Sequence, residues 1–178
     1  MTDEDDVAAV RQCLTGDVNA FERIVDKYQK TIYNVVLRVV NDCEDAEDIT
    51  QCVFIKAFEN LKSFDSRYRL FSWLYKIAFN ESLNFIGPRK RIRELDDNLA
   101  SSEKKPDEVY LEIEMSKNIE NALMRLDPLY RVVIVLRHFQ DLSYREMSYV
   151  LEVPEKTVKS RLFTARQLLR GMLLRKIM

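Results

Sequence analysis

The chain has 178 residues, of which 47% are hydrophobic and 32% charged, with a formal net charge of −1. This is the composition of a folded chain with apolar material for one or two cores, and it excludes a disordered one. Three glycines and four prolines are too few for the frequent turns of a β-sandwich or barrel, and no glycine-rich phosphate loop can be drawn through Gly16, Gly87 and Gly171. Apolar residues instead recur at helical spacing. Val7, Val10 and Leu14 mark a short first helix, and Phe21, Ile24, Val25, Tyr28, Ile32, Val35, Val36 and Val39 a long second one. Ala46, Ile49, Val53, Phe54, Ala57, Phe58 and Leu61 mark a third, and Phe71, Leu74, Ile77, Ala78 and Phe85 a fourth. Breaks are expected at Gly16-Asp17, at Asn41-Asp42 and at Gly87-Pro88. From Glu94 to Asp107 the chain is polar and aperiodic, as a flexible linker would be.

Helical pattern resumes near Val109 and runs through Ile113, Ile119, Ala122 and Leu123. Asp127-Pro128 has the form of an N-cap followed by proline at the first helical position. Ser143-Tyr144-Arg145-Glu146 fits a capping box. It opens a short helix to Leu151, after which Glu152-Val153 turn and Pro154 starts a last helix to about Leu174. This is helix-turn-helix spacing, with Met147, Val150, Val153, Val158 and Leu162 as its small core. The whole reads as all-α: two small helical domains, residues 1–93 and 112–178, joined by an acidic linker at 94–111.

The small net charge conceals a segregation. Residues 1–93 carry −1, residues 94–114 carry −6 and residues 115–178 carry +6. A basic C-terminal part points to an anionic partner, with nucleic acid the first candidate. The second helix of the helix-turn-helix would present Glu155, Lys156, Lys159, Ser160, Phe163, Thr164, Gln167 and Arg170 outward. Such a helix can enter the major groove. There Lys159 suits guanine acceptors, Ser160 either kind of base edge, and Phe163 or the Thr164 methyl a thymine methyl. Arg161 and Arg166 suit phosphates or acids of the same domain, and His138 reads as structural.

Two further features stand out in the N-terminal part. Asp42, Glu44, Asp45, Glu47 and Asp48 crowd the start of the third helix. Acids favour a helix N-terminus, but five in seven positions also suit a docking face for a basic partner. From Phe64 to Phe79, aromatics (Phe64, Tyr68, Phe71, Trp73, Tyr75, Phe79) are interleaved with cations (Arg67, Arg69, Lys76), and Arg89, Lys90, Arg91 and Arg93 follow. Rings that stack bases beside cations that track phosphates suit single-stranded nucleic acid. The alternative is that Phe71, Trp73 and Leu74 close the bundle.

Cys13, Cys43, Cys52 and His138 are scattered, so neither a metal site nor a disulfide frame is expected. No cofactor is expected either. The opening MTDEDD is acidic where a signal peptide is basic, and no apolar run is long enough for a membrane span. A cytoplasmic location without membrane insertion is the expectation.

Three segments together, DAEDITQCVFIKAFENL at 45–61, FSWLYKIAFN at 71–80 and LSYREMSYVLEVPEKTVKSRLFTAR at 142–166, closely resemble bacterial RNA polymerase sigma factors of the extracytoplasmic function (ECF) group, of the sigma-70 family. The resemblance covers roughly residues 20–91 and 116–174. It implies sigma domain 2 at 1–93 and sigma domain 4 at 112–178, and a protein that is not an enzyme. Such a protein binds core RNA polymerase, directs it to promoters and helps open the DNA. It implies that Asp45, Asp48, Gln51 and Phe54 lie at the contact with the β′ clamp helices. It implies that Arg67, Phe71, Trp73, Lys76, Asn80 and Asn84 serve the −10 element, where a flipped base is captured. It implies that Lys156, Thr157, Lys159, Ser160, Phe163, Thr164 and Arg166 serve the −35 element, with domain 4 also on the β flap. Core polymerase, promoter DNA and an anti-sigma factor are the implied partners. The implied place is the cytoplasm, at the nucleoid when active or at the membrane when an anti-sigma factor holds it there. Asn84, Gly87, Thr164 and the pair Glu155-Lys156 depart from common family residues, so the promoter sequence cannot be copied from a relative. The competing readings are a helix-turn-helix regulator that binds duplex DNA without polymerase, and a helical adaptor with no nucleic-acid role.

Overall fold

The computed structural model describes residues 3–93 and 111–177. Four helices build the N-terminal unit: α1 (Asp3–Leu14), α2 (Asn19–Val40), α3 (Cys43–Glu59) and α4 (Leu70–Arg93). A single 3-10 turn, Leu61–Ser63, links α3 to the approach to α4. The apolar stripe read from the sequence is the buried face of α2: Ala20, Phe21, Ile24, Tyr28, Ile32, Val35, Val36 and Val39 are all inside. They pack against Ala46, Ile49, Val53, Phe54 and Ala57 of α3 and against Leu70, Trp73, Leu74, Tyr75 and Ala78 of α4. Helix α1 is pinned by a buried acid. Asp6, 1% exposed, accepts from Lys27 Nζ at 2.6 Å and from the Tyr28 hydroxyl, so a carboxylate taken out of water is paired on both oxygens.

The cap signals hold where local chemistry supplies them. Asn41 ends α2 in the left-handed region (φ 63°), a conformation asparagine tolerates better than most residues. Asp42 then caps α3 by accepting from the Asp45 N–H at 3.0 Å. Gly87-Pro88 does not end α4; the helix continues to Arg93. Proline removes one N–H and crowds the preceding turn, but its fixed φ is itself helical. Leu83, Phe85 and Ile86 pack on the core up to the residue before Gly87, so the helix is anchored as far as the expected break.

The C-terminal unit comprises α5 (Leu111–Met124), α6 (Pro128–Ile134), α7 (Tyr144–Leu151) and α8 (Glu155–Ile177). Asp127 caps α6 by accepting from the Leu129 N–H. The sequence pattern carries α6 on as an ordinary helix, whereas the backbone widens to a π turn at Val135–Phe139. Leu142 closes that widened end. Its N–H donates to the Leu136 carbonyl, and its own carbonyl accepts from Arg137 Nη1 at 2.8 Å. The acidic linker expected at 94–111 lies outside the described residues, save for Leu111, which opens α5.

Both halves of the Ser143 capping box form, and Glu146 returns a carboxylate to the Ser143 N–H at 2.8 Å. Ser143→Ala is expected to cost about 1 kcal/mol, read as a lowered urea midpoint at unchanged slope.

Candidate nucleic-acid and polymerase interface

Three surfaces carry the residues singled out from the sequence. The first is on α3, where helical spacing separates a buried face from a wet one. Glu44, Glu47, Asp48, Gln51, Ile55 and Phe58 are exposed, Asp45 is half-buried and Phe54 is in the core. Of the four residues expected at a polymerase contact, Asp48 and Gln51 are therefore presented outward, while Phe54 supports the face from beneath. Gln51 and Glu47 border a groove of about 420 Å³ against Gln29, Lys30 and Tyr33 of α2. On the same helix the sequence reading missed Ile55, 59% exposed, and placed Phe58 on the buried stripe, whereas its ring is 47% exposed. With Phe21, Phe54 and Glu59 they line an apolar groove of about 300 Å³, and Phe58 meets Phe21 edge-to-face at 5.1 Å. The missed signal was that Ile55 falls off the buried period of α3; Phe58 lies at the margin of that period, which is why it is only partly covered. Large apolar side chains on a wet helix face mark a contact surface.

The second surface runs from the loop before α4 along that helix. Arg67 is exposed and tied to Asp65, with Nη2 2.6 Å from Oδ2; the guanidinium holds the Asp65 carboxyl below the usual carboxylate range. Arg69 lies over the Phe71 ring at 4.1 Å, a cation–π contact. Trp73 is 5% exposed and packs against Phe64, so the indole serves the bundle core, as the bland alternative had it. Positions 73, 76, 80 and 84 follow one helical stripe. Along it burial gives way to water: Trp73 inside, Lys76 and Asn80 half-buried, Asn84 exposed.

The third surface is the outer face of α8. Glu152 forms the turn in the left-handed region (φ 52°), and Ser148 Oγ staples it by donating to the Val153 carbonyl at 2.6 Å. The Pro154 carbonyl then accepts from the N–H groups of Thr157 and Val158. Met147, Val150, Val158, Leu162 and Ala165 are buried as the two-helix core, with Val153 half-buried beside them. Lys156, Lys159, Ser160, Phe163 and Arg166 are exposed, while Thr157 and Thr164 are half-buried. Phe163 is 65% exposed, a ring that packing does not explain. Lys159 Nζ rests 5.3 Å from the Tyr144 ring.

Arg166 pairs with His138 rather than with an acid: its Nε donates to His138 Nε2 at 3.3 Å. Burial first, then the charges of Arg166 and Arg137, lower the His138 pKa, while Asp141 opposes them. The imidazole is thus held neutral as an acceptor. The folded pKa lies below the unfolded value of about 6.5, so the contribution is complete above that value and fades as pH falls through it toward the folded pKa. Wild type is therefore expected to lose more stability than His138→Gln between pH 7.5 and 5, measured by urea unfolding at both pH values. Equal losses would remove the pair as the cause.

Among the described residues no helix is long and apolar enough to cross a membrane, and no cluster of ligating side chains could hold a metal.

An acid-and-apolar α3, an aromatic-cationic α4 and an outward-facing recognition helix on an all-α frame define a two-part transcription protein. Comparison with known families agrees. Residues 24–92 match the family model for Sigma-70 region 2, and residues 116–169 match Sigma-70, region 4. The ECF RNA polymerase sigma factor SigW of Bacillus subtilis is 34% identical, covering 92% of this chain and 94% of its own. RNA polymerase sigma-H factor of Pseudomonas aeruginosa is 31% identical, covering 94% and 93%. Two solved structures share the fold at 24% identity. CnrH in complex with the cytosolic domain of CnrY has a TM-score of 0.69, covering 95% of this chain and 97% of that one. The sigma factor RpoE in complex with the anti-sigma factor NepR from Bartonella quintana has 0.66, covering 88% and 98%. The chain belongs to the sigma-70 family of RNA polymerase sigma factors, in its ECF group.

Proposed function

We propose that this protein is a promoter-specificity subunit: it binds core RNA polymerase, brings it to promoters with defined −10 and −35 elements, and helps open the duplex, while catalysis stays with the polymerase. The observation that carries this reading is the outward α8 face, with Phe163 in water between Lys159 and Arg166, on the same chain as the acid-and-apolar α3 face. A duplex-only regulator needs the first surface and has no use for the second.

In this reading residues 1–93 form sigma domain 2 and residues 112–178 sigma domain 4, with 94–111 between them. Asp48 and Gln51, joined by Ile55 and Phe58, meet the β′ clamp helices; burial of the apolar pair gives affinity, and the acids steer approach and fix register. Lys76, Asn80 and Asn84 meet the opened −10 strand with Arg67 and Phe71, and unstacking of the captured base is offset by its pocket contacts. Lys156, Thr157, Lys159, Ser160, Phe163, Thr164 and Arg166 meet the −35 duplex, with domain 4 also seated on the β flap. The site of action is the cytoplasm. An anti-sigma protein, such as the one with which the RpoE relative was co-crystallised, is proposed here as a further partner.

The test is run-off transcription with bacterial core polymerase on a library of promoter-like templates, with and without the protein. Protein-dependent transcripts that share two conserved elements are the expected result. No transcripts, together with tight duplex binding by the protein alone, would replace this reading with a conventional regulator.

A further inference from the structure

The C-terminal unit does not stand clear of the N-terminal one. Helix α7 and the turn after it lie on the part of α4 assigned above to single-stranded DNA. The Tyr149 ring is stacked on Tyr68, centroids 3.7 Å apart and planes 10° from parallel. Three residues on, Glu152 Oε1 is 2.7 Å from Lys76 Nζ, which also lies 5.2 Å from the centre of the Tyr149 ring. Next to Lys76 in sequence, Tyr75, buried, donates its hydroxyl to Gln140. A second contact closes the far side: Arg131 Nη1 donates to the Val39 carbonyl at the end of α2, at 2.6 Å, and Arg38 lies 4.5 Å from the centre of the Phe139 ring.

The chemistry of the first contact is that of a nucleotide. A flat ring lies parallel on an aromatic side chain, and an anion sits on the neighbouring ammonium, as a base and its phosphate would. Tyr149 supplies the ring and Glu152 the anion. Glu152 holds a left-handed backbone that glycine would adopt more readily, so at this turn a carboxylate stands where the backbone alone would favour glycine.

We propose that the end of α7 and the turn after it act as an internal nucleotide mimic, in which Tyr149 and Glu152 occupy the −10 strand site at Tyr68 and Lys76 and keep the free protein from binding single strands. This rests on the promoter reading of α4 given above. The mask is one-sided. Lys156, Lys159, Ser160 and Phe163 of α8 remain in water while Tyr68 and Lys76 are half-buried, so the closed chain offers its duplex-reading helix and occupies the Tyr68–Lys76 part of its strand-reading face. Opening requires an agent that binds both units apart from each other, which the two polymerase contacts proposed above would supply. The apparent strand affinity of the free chain is then the intrinsic affinity reduced by the fraction of molecules that are open.

The test uses the full chain, wild type and the double variant Tyr149→Ala/Glu152→Gly. Neither residue belongs to the proposed DNA or polymerase contacts, and glycine suits the turn. Each is titrated into a fluorescein-labelled single strand carrying the −10 element that the transcription library yields, and each free chain is measured by small-angle scattering. Wild type is expected near a radius of gyration of about 16 Å, the value for a compact chain of this length, and the variant several ångströms larger. Strand affinity is expected to rise roughly tenfold in the variant, to fall again when Tyr68→Ala is added, and −35 duplex affinity to stay level. Equal strand affinity in both chains, or a wild type already as extended as the variant, overturns the mask. If promoter-dependent transcription by wild type is intact in that case, the sigma reading stands and only the mask falls. If transcription is also absent, both fall.

Discussion

An Asp48→Arg chain is expected to fold as wild type does and to lose at least about 2 kcal/mol of affinity for core polymerase, roughly thirtyfold, because a like-charge pair at an interface costs several kcal/mol. The side chain is exposed on the outer face of α3, so no core packing changes. It lies beyond the first turn of a helix that begins at Cys43, where the helix dipole has little hold on a charge. Surface substitutions of this kind shift stability by about 0.5 kcal/mol or less, and a matched urea midpoint will establish that. Transcription should fall in parallel with binding and be restored in part by raising the protein concentration, since assembly is impaired and not catalysis. Phe58→Ala, which removes the exposed ring of the neighbouring groove, should act in the same direction through lost apolar burial. Unchanged core binding in both variants would move the polymerase contact off α3.

Much of this surface was legible before the structure because its signals are local. A capping box declares itself within four residues, as at Ser143 and Glu146, and the 3.6 period of α2 names its own buried face. The outward set on α8 follows from the same period once Pro154 fixes where the helix begins. What was not legible depends on neighbours distant in sequence. Trp73 has the composition of a base-stacking residue, yet Phe64 and the bundle take it into the core. Phe54 sits one residue from the wet face of α3, and whether it or Ile55 points outward is decided by where α2 lies. Gly87-Pro88 carries a stop signal, yet the helix runs on to Arg93, since the fixed φ of proline is itself helical. The closed arrangement of the two units had no signal in sequence, since Tyr149 and Tyr68 are 81 positions apart and neither differs locally from any half-buried tyrosine.

Arg131 is a residue whose weight only the structure reveals, and Arg131→Met is expected to destabilise the chain by about 2–4 kcal/mol, given that hydrogen bonds from a charged group contribute about 1.5–3 kcal/mol each and that buried acceptors are costly to strand. The guanidinium is buried and donates to three carbonyls: Val39 at 2.6 Å, Met124 at 2.5 Å and Leu126 at 3.1 Å. These carbonyls belong to the C-terminal ends of α2 and α5 and to the turn after α5, where the last acceptors of a helix lack intrahelical donors and a cation is favoured. Burial lowers the Arg131 pKa, but guanidinium remains charged at any ordinary pH, so the bonds persist and the cost of desolvating the charge is set against them. That cost is why the expected loss is smaller than the sum of three bonds. Methionine fills much of the volume and strands the carbonyls, and lysine, which keeps the charge on a single ammonium without the fork, should fall between the two. The loss also divides by location. The Met124 and Leu126 bonds lie within the C-terminal unit and survive opening, whereas the Val39 bond joins the units. In a chain already opened by Tyr149→Ala/Glu152→Gly, Arg131→Met should therefore cost measurably less than in wild type, and the difference in a double-mutant cycle is the share that the Val39 bond contributes to closure. A cycle that closes to within about 0.3 kcal/mol would mean that Arg131 braces only its own unit and has no part in holding the two together.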